Sequence, residues 1–107
     1  MAKQKKWTVT FDEKVVEHTK DFQLSQLRLL RHEIHVQLSF QPDVETQQRK
    51  PLSRPNVFGE AWELRCGPEN KFRVFYRMSS AVKHVKILAI GVKLKGILYI
   101  GDKEIEL

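Results

Sequence analysis

The 107-residue chain has a single cysteine, Cys66. No internal disulfide can staple it, so a reducing cytoplasm is its expected compartment. No ligand cluster accompanies that thiol, and neither a metal nor another cofactor is expected. The longest apolar run, Ile87 to Val92, is far short of the ~20 residues a membrane helix needs. The basic start, Met-Ala-Lys-Gln-Lys-Lys, leads into no apolar stretch of the kind a signal peptide carries. No Ser-His-Asp set, glycine-rich phosphate loop, heptad series or internal repeat is visible. His32 and His35 stand one helical turn apart without a third ligand and are expected as surface histidines. Cys66 lies in phase with Trp62 and Leu64, which points to a buried thiol rather than a nucleophile. One small domain over residues 1–107 is expected, burying roughly two-thirds of its surface.

Charge is present but unevenly spread. The chain carries 19 Lys and Arg against 13 Asp and Glu, a net charge of +6. From Arg65 to Lys95 there are eight basic residues (Arg65, Lys71, Arg73, Arg77, Lys83, Lys86, Lys93 and Lys95) and one acid, Glu69. The remaining residues hold eleven basic and twelve acidic groups. An excess confined to one segment offers a local positive field suited to phosphates or to an acidic protein; the alternative is a solvated charged face.

The residue pattern predicts a strand, two helices and then an antiparallel meander, an α+β fold. Trp7-Thr8-Val9-Thr10-Phe11 alternates apolar and hydroxyl residues with the period of a half-buried strand. Asp12 is placed to cap a helix over about 13–22, with Thr10 and Glu13 offering an alternative capping box. Leu24, Leu27, Leu30, Ile34 and Leu38 recur at helical spacing, widened by Leu29, Val36 and Phe40, and predict a helix over about 24–40 that covers a sheet. Gln41-Pro42 stops it. A polar, proline-bearing stretch to Glu60 is expected as loop. From Ala61 the period returns to two, and Val85–Ile90 is apolar on both faces, as in a central strand.

The register of the first hairpin follows from its side chains. A three-residue loop, Pro68-Glu69-Asn70, sets Trp62 opposite Tyr76 and Leu64 opposite Val74, whereas a two-residue loop mixes the faces. It puts Pro68 at the first central position of a type I turn and Asn70 where a left-handed residue is needed. Trp62 and Tyr76 then belong to the core. Arg65 falls directly opposite Arg73 on the other face, a like-charge opposition that destabilises a sheet unless something neutralises it. A bound polyanion would do so; Glu63, on the same face, is the alternative.

Trp62-Glu63-Leu64-Arg65, Phe72-Arg73-Val74-Phe75-Tyr76, Ile90-Gly91-Val92-Lys93-Leu94-Lys95 and Leu98-Tyr99 occur in an order and spacing that resembles the RelE/ParE toxin superfamily. Lys50-Pro51-Leu52 is similar to the Lys-x-Leu that often precedes the sheet in that family. The resemblance covers most of the chain. It implies a single curved sheet behind a two-helix hairpin, and a toxin of a type II toxin–antitoxin pair whose partner is a cognate antitoxin. Relatives similar to RelE cut mRNA in the ribosomal A site, and those similar to ParE inhibit DNA gyrase; a decayed toxin that only binds its antitoxin is a third outcome. The resemblance brings Arg73, Lys93 and Tyr99 to the scissile phosphate. Two lysines of the best-understood cutters are replaced here by Ala61 and Glu63, and the chain after Gly101 is too short for a long terminal helix.

Cleavage by a 2′-hydroxyl needs a base, a proton donor and positive charge on the phosphorane. Arg73 and Arg65 offer that charge in planar form, and Lys50, Arg77, Lys93 and Lys95 add more. Glu63 is a candidate base, though a weak one. Tyr99 is suited either to stacking on a base or to a terminal strand of the core.

Overall fold

The computed structural model describes residues 5–107; the first four residues of the basic N-terminal stretch lie outside the described residues. Seven strands form one sheet: β1 (Thr8–Phe11), β2 (Arg49–Pro51), β3 (Trp62–Cys66), β4 (Phe72–Ser79), β5 (His84–Leu94), β6 (Ile97–Ile100) and β7 (Lys103–Ile105). Helices α1 (Val15–His18) and α2 (Leu24–Leu38) separate β1 from β2. Strands β2 to β7 pair in sequence order, and β1 runs parallel to β5. The central β5 therefore pairs with β4 along one side. On its other side it pairs with β1 at His84–Ile87 and with β6 at Val92–Leu94. No helix is long and apolar enough to cross a membrane among the described residues.

The α+β class and the element order agree with the sequence analysis, with local corrections, among them a further strand, β7, after the expected last one. The first helix is a single turn rather than the 13–22 expected. Asp12 Oδ1 accepts the Lys14 N–H at 2.9 Å, but no side chain caps the helix. Thr10 and Glu13 form no capping box, because the Thr10 hydroxyl bonds His84 Nε2 at 2.7 Å. The expected loop over 41–60 contains β2, an edge strand that ends in Pro51, where a missing N–H does least harm. The first hairpin has the expected register, Trp62 opposite Tyr76 and Arg65 opposite Arg73. Asn70 is left-handed as expected at φ 53°, but so is Glu69 at φ 56°, so the turn is not type I.

Two apolar layers flank the sheet. Under α2, Leu30, Ile34 and Leu38 pack with Trp7, Leu64, Phe72, Val74, Tyr76, Val85 and Ile87. Trp62 is partly buried against this layer, and the Tyr76 hydroxyl donates to the Pro42 carbonyl at 2.8 Å. The first turns of α2 do not cover the sheet, since Leu24 and Leu27 are exposed. On the opposite face Phe75, Ala89, Leu98 and Ile100 form a smaller layer with Leu52, Phe58 and Ile105. Phe58 stacks on Phe75 at 4.7 Å and so draws the 52–60 loop over that face.

A β-bulge between Phe75 and Tyr76 sets the two layers. Phe75 pairs with Ala89 but Tyr76 pairs with Ile87, leaving Leu88 as the extra residue. The bulge shifts the phase of β5 by one residue. Val85 and Ile87 face α2 before it, and Ile90 and Val92 face α2 after it.

Arg49 anchors the other end of the molecule. It is buried, and its guanidinium donates to the Val44 carbonyl at 3.1 Å, to the Gln37 carbonyl and to Gln37 Oε1 at 3.2 Å. Those bonds tie the loop after α2 to the helix C-terminus, where a cation is favoured.

Candidate functional site

The face away from α2 gathers most of the sequence-nominated residues. Glu63 and Arg65 on β3, and Arg73 and Arg77 on β4, alternate with core residues and so point to this side. Lys50 on β2 lies opposite Glu63, and Lys93 on β5 lies opposite Leu98 of the smaller apolar layer. Lys95 is exposed in the turn between β5 and β6 at φ 50°.

Glu63 sits between the two opposed arginines. Its Oε1 accepts from Arg65 Nε at 2.8 Å and lies 3.6 Å from Arg73 Nη1. Glu63 and Arg73 are 3% and 9% exposed, which makes this a buried charge cluster rather than a surface pair. Arg73 Nε also donates to the Asn70 carbonyl at 3.0 Å. Burial lowers the Arg73 pKa and the Glu63 carboxylate opposes that shift, with the guanidinium still charged at neutral pH. Among the described residues, none donates a hydrogen bond to Glu63 Oε2.

A cavity of about 440 Å³ opens beside this cluster, lined by Glu63, Arg73, Lys93, Leu98 and the C-terminal residues Glu104 to Leu107. Its lining holds a carboxylate, a planar cation and an ammonium group, the three chemical elements that phosphodiester cleavage needs. Gly91, the ladder partner of Arg73, allows the approach of β6. A Cβ there would meet the Tyr99 carbonyl at 2.7 Å and the Leu98 and Ile100 side chains at 3.0 Å.

No protein-family model matches this chain, and no curated protein matches its sequence. One chain of the crystal structure of the toxin–antitoxin complex RelBE2 from Mycobacterium tuberculosis is similar, with a TM-score of 0.69 and 22% identity. The alignment covers 87% of this chain and 98% of that chain. The fold is RelE-like.

On the RelE-like sheet, Tyr99 does not join Arg73 and Lys93. It pairs with Val92 on the helix-bearing face of the sheet and lines a separate cavity with His18, Phe22 and Ile90. Arg77 lies farther along β4, its Nη2 donating to the Phe58 carbonyl at 2.8 Å and its Nε facing the Glu60 carbonyl at 3.4 Å. The residues that sequence reasoning passed over are Glu104 and Glu106, whose only signal was a short acidic C-terminal run. The Cys66 thiol is buried and its pKa is pushed up to about 12 by desolvation, which keeps it un-ionised and unreactive at neutral pH.

His18 gives the molecule a pH dependence. Its Nδ1 is buried without a hydrogen-bond partner among the described residues, and burial lowers its pKa below the ordinary 6.5, with Asp12 opposing. The folded state therefore favours the neutral ring. Its contribution is fully present above 6.5 and is lost as pH falls through the folded-state value. Thermal melting should occur at lower temperature as pH falls from 6.5 to that value, and His18→Phe should flatten this part of the profile; equal slopes for both proteins would assign it elsewhere.

Proposed function

We propose that this protein is the toxin of a type II toxin–antitoxin pair, acting in the cytoplasm as a ribosome-dependent mRNA endonuclease. A cognate antitoxin is its protein partner, and the ribosome with its mRNA is its target. The observation that carries this reading is the grouping of Glu63, Arg73 and Lys93 around one cavity, on a sheet whose fold is shared with a chain of a toxin–antitoxin complex.

In this mechanism the free Oε2 of Glu63 takes the proton of a 2′-hydroxyl, whose oxygen then attacks the adjacent phosphorus. Arg73, with Arg65 behind Glu63, carries the charge that builds on the phosphorane oxygens. Lys93 gives a proton to the departing 5′ oxygen, leaving a 2′,3′-cyclic phosphate and a 5′-hydroxyl end. A base and an acid of this kind are each worth roughly 10²–10⁴-fold in rate. Glu63 thus takes the part of the lysines missing at positions 61 and 63.

A second reading is a toxin that binds DNA gyrase without cutting RNA; the placement of Tyr99 on the other face of the sheet from Arg73 favours it. Induced expression separates the two. On the first reading growth stops and transcripts acquire new 5′ ends within codons, and Lys93→Ala cuts their yield by at least about 100-fold. Arrest with an intact transcript pool and inhibited supercoiling would establish the second.

A further inference from the structure

The catalytic cavity does not supply the positive field that an RNA strand requires. Its lining holds two cations, Arg73 and Lys93, against three carboxylates, Glu63, Glu104 and Glu106. The like-charge opposition of Arg65 and Arg73 is bridged by Glu63, which contacts both. A second opposition on the same face has a carboxylate on only one of its two cations. The β5 bulge brings Arg77 directly across from Lys86. Lys86 pairs with Asp12 at 3.6 Å, while Arg77 has no ion pair among the described residues.

Beside Arg77 lies a cavity of about 400 Å³ at the seam where β5 has passed β1 and not yet met β6. Its apolar wall includes Val57, Phe58 and the bulged Leu88; its cations are Lys14, Arg77 and Lys103 against one carboxylate, Asp12, which already pairs with Lys86 outside the lining. Lys14 and Lys103 are exposed, and neither forms an ion pair among the described residues. Ile105 lines both this cavity and the one beside Arg73, so the two adjoin. An apolar wall able to take a base, with unpaired cations around it for phosphates, is the combination by which proteins hold single-stranded nucleic acid.

We propose that this cavity is a second nucleotide subsite, which holds the substrate strand next to the nucleotide being cut. It rests on the mRNA-cutting reading and deepens it: Glu63, Arg73 and Lys93 act on the bond, while Lys14, Arg77 and Lys103 hold the neighbouring strand.

The test is cleavage of mRNA on programmed ribosomes by the full chain and by its Lys14→Gln/Lys103→Gln variant, whose matching thermal melt controls for folding. KM should rise about tenfold with kcat within twofold, and the slope of log KM against log salt should fall by about 1.4 for two lost phosphate contacts. In the wild type, 4-thiouridine flanking the cut codon should crosslink to the Val57–Phe58 peptide. An unchanged KM in a wild-type background that cuts overturns the subsite alone, as does a fall in kcat with KM unaltered. Crosslinking of that peptide to ribosomal RNA instead overturns its assignment to the substrate strand. Unchanged cleavage with weakened antitoxin binding assigns the cavity to the protein partner. A wild type that leaves the mRNA intact overturns both the subsite and the function on which it rests.

Discussion

Glu63→Ala is expected to lower the free energy of unfolding by about 3 kcal/mol. The estimate is for removing one member of a buried ion pair, which costs about 3–5 kcal/mol because the remaining charge is left desolvated. The lower end applies here because the two arginines differ. Arg65 has a side chain 32% exposed and can turn its charge to water, whereas the Arg73 side chain is 11% exposed and cannot. Against a total stability of about 5–15 kcal/mol for a domain of this kind, the loss is large. The same argument fixes the sign for a double variant. Glu63→Met/Arg73→Met removes both buried charges and should unfold at higher urea than Glu63→Met alone. A Glu63→Ala protein within 0.5 kcal/mol of wild type would mean that water reaches the cluster freely and that the carboxylate is not what reconciles the arginines.

Gly91→Val should cost about 3 kcal/mol, by overpacking rather than by loss of a contact. The nearest atom to a new Cβ is the Tyr99 backbone carbonyl at 2.7 Å, which cannot move without shifting β6. The valine methyl groups would also meet the layer formed by Leu98 and Ile100. Because Leu98 and Lys93 line the cavity beside Arg73, the same shift should disturb the site as well as the fold. Gly96, in the turn between β5 and β6, has open space around its added Cβ but a positive φ of 81°, so Gly96→Ala should cost about 1 kcal/mol through backbone strain alone. Urea melts of the two variants check the order; a Gly91→Val protein as stable as Gly96→Ala would contradict the close approach of β6.

The parts of the molecule that were legible in the sequence are those where two local signals agree. Trp62 and Leu64 against Tyr76 and Val74, joined by a turn that needs a left-handed residue at Asn70, allow one register, and that register put Arg65 opposite Arg73. The same face carried Glu63, so the neutralising carboxylate was visible as an alternative to a bound anion. Its Oε1 takes both arginines, and the opposition of charges by itself is therefore no sign of a ligand.

The parts that stayed hidden depend on β5. That strand is apolar on both faces, so nothing in its pattern marks Leu88 as the bulged residue or sets the phase beyond it. Without that phase neither the Arg77–Lys86 opposition nor the side on which Tyr99 emerges can be worked out. The single turn of α1 is a tertiary effect. Val15 is buried while Val16 is exposed, leaving too narrow an apolar face to extend a helix to residue 22. The three residues of β2 were concealed by Pro51, which is compatible with an edge strand and with a loop alike.

The most direct test of the proposed chemistry is single-turnover cleavage of mRNA on programmed ribosomes by the wild type and by Glu63→Gln. The amide keeps the shape of the carboxylate and removes its capacity to accept the 2′ proton. Cleavage by the variant should be slower by about 10²-fold or more, with the wild-type fragments ending in a 2′,3′-cyclic phosphate. A Glu63→Gln protein that cuts as fast as wild type would contradict the account of Glu63 as the base.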